Sequence, residues 1–167
     1  MARMQRLLAN LFEGWFQLRR RFPASLLDEI TRAIAAGEHT HKGELRLAIE
    51  SRLDPFAVVG GLDAPARARQ AFSQLRVWDT EHNTGVLIYV LLAEHRIEII
   101  ADRGIVARVA PAEWAVICAL MRECYALGQW RKGSLAGIAA AHALLLKHFP
   151  GNDKADPDEL PDRPVFL

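Results

Sequence analysis

The chain has 167 residues, 51% apolar and 25% charged, with 21 basic and 20 acidic side chains giving a formal net charge of +1. This length suits one domain that buries a full core, and the composition is that of a globular protein, not a disordered or fibrous one. The near-neutral balance excludes a nucleic-acid binder working through a broad basic surface. No stretch reaches the roughly 18 apolar residues that span a bilayer.

Residues 1–21 are expected to form a basic amphipathic helix. Leu7, Leu8, Leu11, Phe12, Trp15, Phe16 and Leu18 recur at helical spacing, and Arg3, Arg6, Arg19, Arg20 and Arg21 stand against the single acid Glu13. Such a helix either packs on the domain with its arginines in water or lies on an anionic membrane surface. The run Leu7–Phe12 is too short for a signal peptide and no small-residue cleavage site follows it. A cytoplasmic protein, at most peripheral to the inner membrane, is the expected location.

Beyond Phe22-Pro23, Ser25 is placed to cap a helix in which Leu26, Leu27, Ile30 and Ile34 repeat at three and four, ending near Gly37. The loop Glu38–Gly43 leads into Glu44–Glu50, whose alternation marks a strand with one wetter face. Residues Asp54–Ala64, with Pro55, Gly60 and Gly61, read as loop, and a helix follows from Pro65 to Leu75. The strand Gly85–Ala93 is apolar throughout, which suits a central position covered on both faces. A two-residue turn at Glu94-His95 then reverses the chain into the strand Arg96–Ala101.

Helices over 110–128 and 132–148 close the domain, and a Pro/Asp-rich tail, 151–167, is expected to be extended on the surface or disordered. Cys118 and Cys124 fall on different faces of one helix, so they form neither a disulfide nor a CxxC pair and read as buried thiols. A strand–helix–strand crossover is parallel and right-handed, and the tight turn makes the last pair antiparallel. The fold class is therefore α/β, a three-layer α/β/α sandwich with a small mixed sheet, spanning residues 22–150 behind the N-terminal helix.

These strand directions bring the start of the first strand, the start of the second and the end of the third to one edge, if the first two are neighbours. Glu44, Asp79, Thr80, Asn83 and Asp102 supply the carboxylate, hydroxyl and amide oxygens that a hard cation such as calcium takes. Glu38, His41, Glu81, His82 and Arg103 lie near the same edge. The plainer reading has Asp79 or Thr80 capping a turn, Asp102 ending a strand and Arg103 pairing with Glu44 or Glu98. His39 and His41, two apart in an extended loop beside Glu38, would face one way, short of a further ligand for a transition metal. His142 and His148 read as structural. Walker, GxGxxG, GxSxG and HExxH signatures are absent, which speaks against nucleotide binding and serine hydrolysis.

Several ordered blocks resemble the TPM domain family, whose members include a thylakoid-lumen acid-phosphatase-like protein. Gly43-Glu44-Leu45-Arg46 is similar to its strand start, Thr80 through Tyr89 to its Asn-Gly-Val-Leu-Ile-Tyr block, and Asp102-Arg103-Gly104-Ile105 to its Asp-Arg/Lys-Gly-Ile turn. Trp114, the helix ending Lys147-His148-Phe149-Pro150, and Glu159-Leu160-Pro161-Asp162 resemble its closing pattern. Where the family often has Asn directly before Gly-Val-Leu-Ile, this chain has Thr84, with Asn83 one earlier. The resemblance implies an α/β/α sandwich of the short stand-alone bacterial type. It also implies calcium near the acidic loops in some members and weak acid-phosphatase activity in others.

Two functions follow. One is a binding module for a divalent cation, calcium, or for a protein partner, linked to the cell envelope, with the N-terminal arginines as a surface attachment. The other is a metal-assisted phosphomonoester hydrolase in which Arg103 offsets developing charge. The missing DxDx(T/V) motif weighs against an aspartyl nucleophile.

Overall fold

The structure, a computed structural model, describes residues 3–12, 14–151 and 159–167. Two helices, α1 (Arg3–Phe12) and α2 (Trp15–Arg21), stand where one was expected; the chain breaks at Gly14, whose backbone is extended. The helix α3 (Ala24–Glu38) starts at Pro23, not at Ser25. Proline has no N–H to satisfy, and its carbonyl accepts from the Leu26 and Leu27 amides at 3.0 and 3.1 Å.

The strand β1 (Glu44–Glu50) is followed by a short helix, α4 (Pro55–Val59), inside the segment that reads as loop. Its signal is the Asp-Pro pair: Asp54 accepts from the Phe56 and Ala57 amides, and Pro55 occupies the first turn. Asp63 caps α5 (Ala64–Gln74) in the same way. The strands β2 (Gly85–Leu91) and β3 (Arg96–Ala101) are joined by four residues instead of two. Leu92 and Ala93 donate to the carbonyls of Glu50, the last residue of β1, and of Ser51 just after it, which holds them to β1 and not to β3, and His95 takes a left-handed φ of 52°. A second unexpected helix, α6 (Arg103–Val106), leads to α7 (Pro111–Ala126) and α8 (Trp130–His148).

The sheet order is β3-β2-β1-β4, where β4 is Val165–Phe166. β1 runs parallel to β2 and to β4, and β2 pairs antiparallel with β3. The C-terminal end is thus an edge strand rather than a loose tail, while residues 152–158 of the expected tail lie outside the described residues.

Alternation along the strands sends Leu45, Leu47, Ile49, Val86, Ile88 and Val90 into a core shared with α3, α7 and α8. Ala48, Leu87, Tyr89 and Leu91 point to the other layer, against α4 and α5. The polar face expected of β1 is covered: Glu50 is buried, accepts from the Tyr89 hydroxyl at 2.5 Å, and takes a two-pronged ion pair from Arg67.

Candidate functional site

The strand register sets up one edge. Glu44 lies opposite Gly85 on β2, Val86 lies opposite Ala101 on β3, and the Asp102 amide donates to the Gly85 carbonyl at 2.9 Å. Gly85 is required because a Cβ there would overlap the Val77 carbonyl, and its absence lets the 77–84 loop fold back over the strand. Within that loop the Thr80 hydroxyl accepts from the Thr84 amide at 3.0 Å, and Asn83 adopts a left-handed φ of 55°. The 102–104 turn closes on the loop: the Gly104 amide donates to the Asn83 carbonyl, and a Cβ on Gly104 would sit 2.6 Å from that oxygen.

The candidate residues divide into three groups. Thr80, Asn83, Asp102 and Arg103 belong to the two clamped turns. The Arg103 guanidinium donates to Asn83 Oδ1 at 2.8 Å, in place of the expected pairing with Glu44 or Glu98, and Glu98 pairs instead with Arg96. Asp102 caps α6, its Oδ1 accepting the Arg103 amide at 2.7 Å, while its Oδ2 is buried without a hydrogen-bond partner. Asp79 and His82 are exposed on the same loop.

Glu38 and Glu44 form a second group with the C-terminal segment. Glu44 accepts from the Leu160 amide, the Glu81 amide donates to Glu159, and Glu38 accepts from the Leu45 amide at 2.7 Å. Burial raises the Glu38 carboxyl far above the usual carboxylate range, and the nearby Glu44 and Asp162 raise it further. Among the described residues, no three His, Cys, Asp or Glu side chains gather as a metal site.

His41 is not at the edge. Its ring turns inward and stacks on His142, with His41 Nε2 2.7 Å from His142 Nδ1, whereas His39 stays exposed. The Gly43 amide donates to His41 Nδ1, so His41 carries its proton on Nε2 and donates it to His142 Nδ1. Both sites that would take an extra proton are thereby occupied as acceptors. Burial pushes each imidazole down to about 4, and the neighbouring His41 adds to the effect on His142. His142 is structural, as the sequence suggests, but as half of a pair that no sequence spacing reveals.

The structure also joins His82 and Thr84 to Lys42 and Arg108, which the sequence did not single out. An open groove of about 540 Å³ is lined by Lys42, His82, Thr84, Gly104, Arg108, Phe149 and Pro150. Arg108 stacks its guanidinium 5.0 Å from the Phe149 ring centre. Its position follows from α6, a helix too short to leave a periodic pattern, and Lys42 reads locally as one more loop charge. Cys118 and Cys124 are free thiols, and burial raises the Cys118 thiol to about 11, which makes it a poor nucleophile.

The sequence matches the TPM domain over residues 21–144. The chain belongs to the TPM domain family. It is similar to the BA42 protein of the psychrophilic bacterium Bizionia argentinensis, seen by NMR, at 29% identity and a TM-score of 0.75, covering 86% of this chain and 94% of that one. The N-terminal domain of a protein from P. gingivalis shares the fold at 14% identity and a TM-score of 0.61, covering 77% of this chain and 81% of that one. No curated protein matches the chain. Among the described residues no helix is long and apolar enough to cross a membrane.

Proposed function

We propose that this TPM domain is a non-catalytic binding module whose ligand is a divalent cation, calcium first, held where the 80–83 loop meets the 102–104 turn. The observation that carries this reading is the Asp102 carboxylate, with one oxygen fixed by an amide and the other buried without a partner. A buried carboxylate oxygen is costly unless a proton, water or cation satisfies it. Calcium accepts hydroxyl, amide and carbonyl oxygens beside carboxylates, so a site of this kind needs no cluster of three acids. Asp102 and Asp79 supply the charge, with Thr80, Asn83 and their backbone carbonyls as neutral donors. Glu44, engaged by the Leu160 amide, borders the site.

Thermal unfolding with chelator, calcium, magnesium and manganese tests it. A ligand that binds only the folded state stabilises it by about 2.7 kcal/mol at 100 times its dissociation constant. A calcium-selective rise in Tm is expected, and a Tm indifferent to all three cations overturns the reading.

One observation favours a second reading, a metal-assisted phosphomonoesterase. The groove lined by Lys42, Arg108 and His82 opens beside Thr84 and Gly104, so the cations Lys42 and Arg108 flank the edge as an anionic ester requires. No side chain there is visibly activated as a nucleophile, which is why binding is preferred. Hydrolysis of p-nitrophenyl phosphate that is lost in both Arg108→Ala and Asp102→Asn would reverse that preference. Absence of hydrolysis, or activity that survives both, leaves the module reading in place.

A further inference from the structure

The helix α1 docks on the domain mainly through polar side chains. Beside the partly buried Leu7, Asn10 is 0% exposed and Arg6 points into the domain. Arg6 forms a two-pronged ion pair with Glu94, both distances 2.9 Å, and donates to the Leu62 carbonyl at 2.6 Å. Asn10 donates to Glu94 and to the Arg6 carbonyl, and accepts from the Leu53 amide at 2.6 Å. These bonds fix the rotation of the helix about its own axis. The opposite stripe, at spacings of four and three, is Met4, Leu8 and Leu11, exposed by 67%, 48% and 52%.

The patch does not end with α1. The helix α4 packs beside it and adds Phe56, 86% exposed, and Val59, 49% exposed. Phe16 on α2 is 79% exposed. Isolated exposed apolar residues are ordinary, but a run of them across adjoining helices marks a surface that something covers.

We propose that this face seats the domain on an anionic lipid bilayer. Met4, Leu8, Leu11, Phe56 and Val59 enter the boundary between headgroups and acyl chains, and arginines around them meet the phosphates. The cations are placed for that role: Arg52 reaches the Leu11 carbonyl at the end of α1, and Arg19 and Arg20 are exposed on α2. The acids at the starts of α4 and α5, Asp54 and Asp63, are engaged as helix caps. Side chains standing out from short helices suit a fluid apolar phase better than a partner protein that must match their shape. Basic side chains beside such a patch each add about 1 kcal/mol toward an anionic leaflet, roughly fivefold in partitioning.

The test is flotation of the full-length protein with vesicles of phosphatidylcholine alone or of equimolar phosphatidylcholine and phosphatidylglycerol, beside sedimentation velocity without lipid. Wild type is expected to float with the anionic vesicles only, less so at high salt. Leu8→Ser with Phe56→Ser should weaken partitioning by about a hundredfold, taking roughly tenfold for each large apolar side chain. Arg19→Ala with Arg20→Ala should weaken it by about twenty-fivefold. All four changes fall on exposed positions, and unchanged Tm values would show that the variants fold. Failure to float, equal flotation with neutral vesicles, or partitioning indifferent to both pairs overturns the proposal. So does a dimer without lipid that Leu8→Ser/Phe56→Ser dissolves while wild type ignores vesicles, since the face would then be covered by a second copy.

Discussion

At the hairpin end of the sheet, Glu94 and Asn10 have every side-chain polar atom paired; at the opposite end, where β1 and β2 begin, Asp102 keeps one buried oxygen without a partner. Both ends bury polar atoms in a low-dielectric setting that makes pairing valuable and its absence costly. The satisfied cluster fastens α1 to the fold. The unsatisfied one sits between two turns clamped at Gly85 and Gly104, with the exposed Asp79 on the neighbouring loop. Polar burial alone therefore does not single out a site, and the proposed one rests on the incomplete pairing of Asp102 at the sheet edge.

The largest effect should come from breaking the satisfied end. Glu94→Ala leaves Arg6 and Asn10 without their shared acceptor, and should cost about 3 kcal/mol by urea unfolding. A loss below about 1 kcal/mol would show that apolar contacts, and not this network, hold α1.

Next is the histidine pair, which lies between the two cases: one shared proton is bonded, but His142 Nε2 is buried without a well-formed bond. Both folded-state values, about 4, are below the unfolded 6.5. The unfolded chain takes up protons first, so this pair should erode stability as pH falls from 6.5 toward 4. Ring resonances followed by NMR should show neither imidazole charging until about pH 4. A ring that titrates near its ordinary value would mean that the pair is open to water.

Glu38 has the opposite sign. Burial raises its folded value from the ordinary 4.5 to about 10, so the stability it contributes is full below pH 4.5 and is lost as pH rises toward 10. Glu38→Gln keeps an oxygen for the Leu45 amide and should raise Tm at pH 8, with the gain vanishing near pH 4. Equal shifts at both pH values would contradict a buried, protonated Glu38.

Asp102→Asn should have the smallest effect on stability in chelator, within about 1 kcal/mol, because Asn also caps a helix. It should nonetheless abolish the response to calcium. Glu94→Ala and Asp102→Asn should therefore separate an acid that carries stability from one proposed to carry a ligand.

Much of the fold was legible because burial leaves periodic marks. The continuous apolar run Val86–Leu91 announced a central strand, and Leu26, Leu27, Ile30 and Ile34 announced a core-facing helix. The short helices α4 and α6 escaped because four or five residues carry too little periodicity, although Asp54-Pro55 held a capping signal. β4 escaped because a two-residue strand has no pattern of its own and gains its place only from pairing with Ala48 and Ile49. Strand directions brought the edge together, since topology needs only order and hand. The division of its residues did not show, because Glu44, Asp102 and Arg103 each chose a backbone or side-chain partner that lies far away in sequence or is fixed by the turn. The partnership of His41 with His142 spans the whole domain and leaves no local trace.

Calcium titration followed on backbone amide resonances tests the central claim most directly. Saturable shifts confined to Thr80–Gly85 and Asp102–Ile105, absent in Asp102→Asn and not reproduced by magnesium, are the predicted result. No saturable shift, or shifts centred on Glu38, Glu44 and Asp162 instead, would contradict the assignment of Asp102 as the ligand that defines the site.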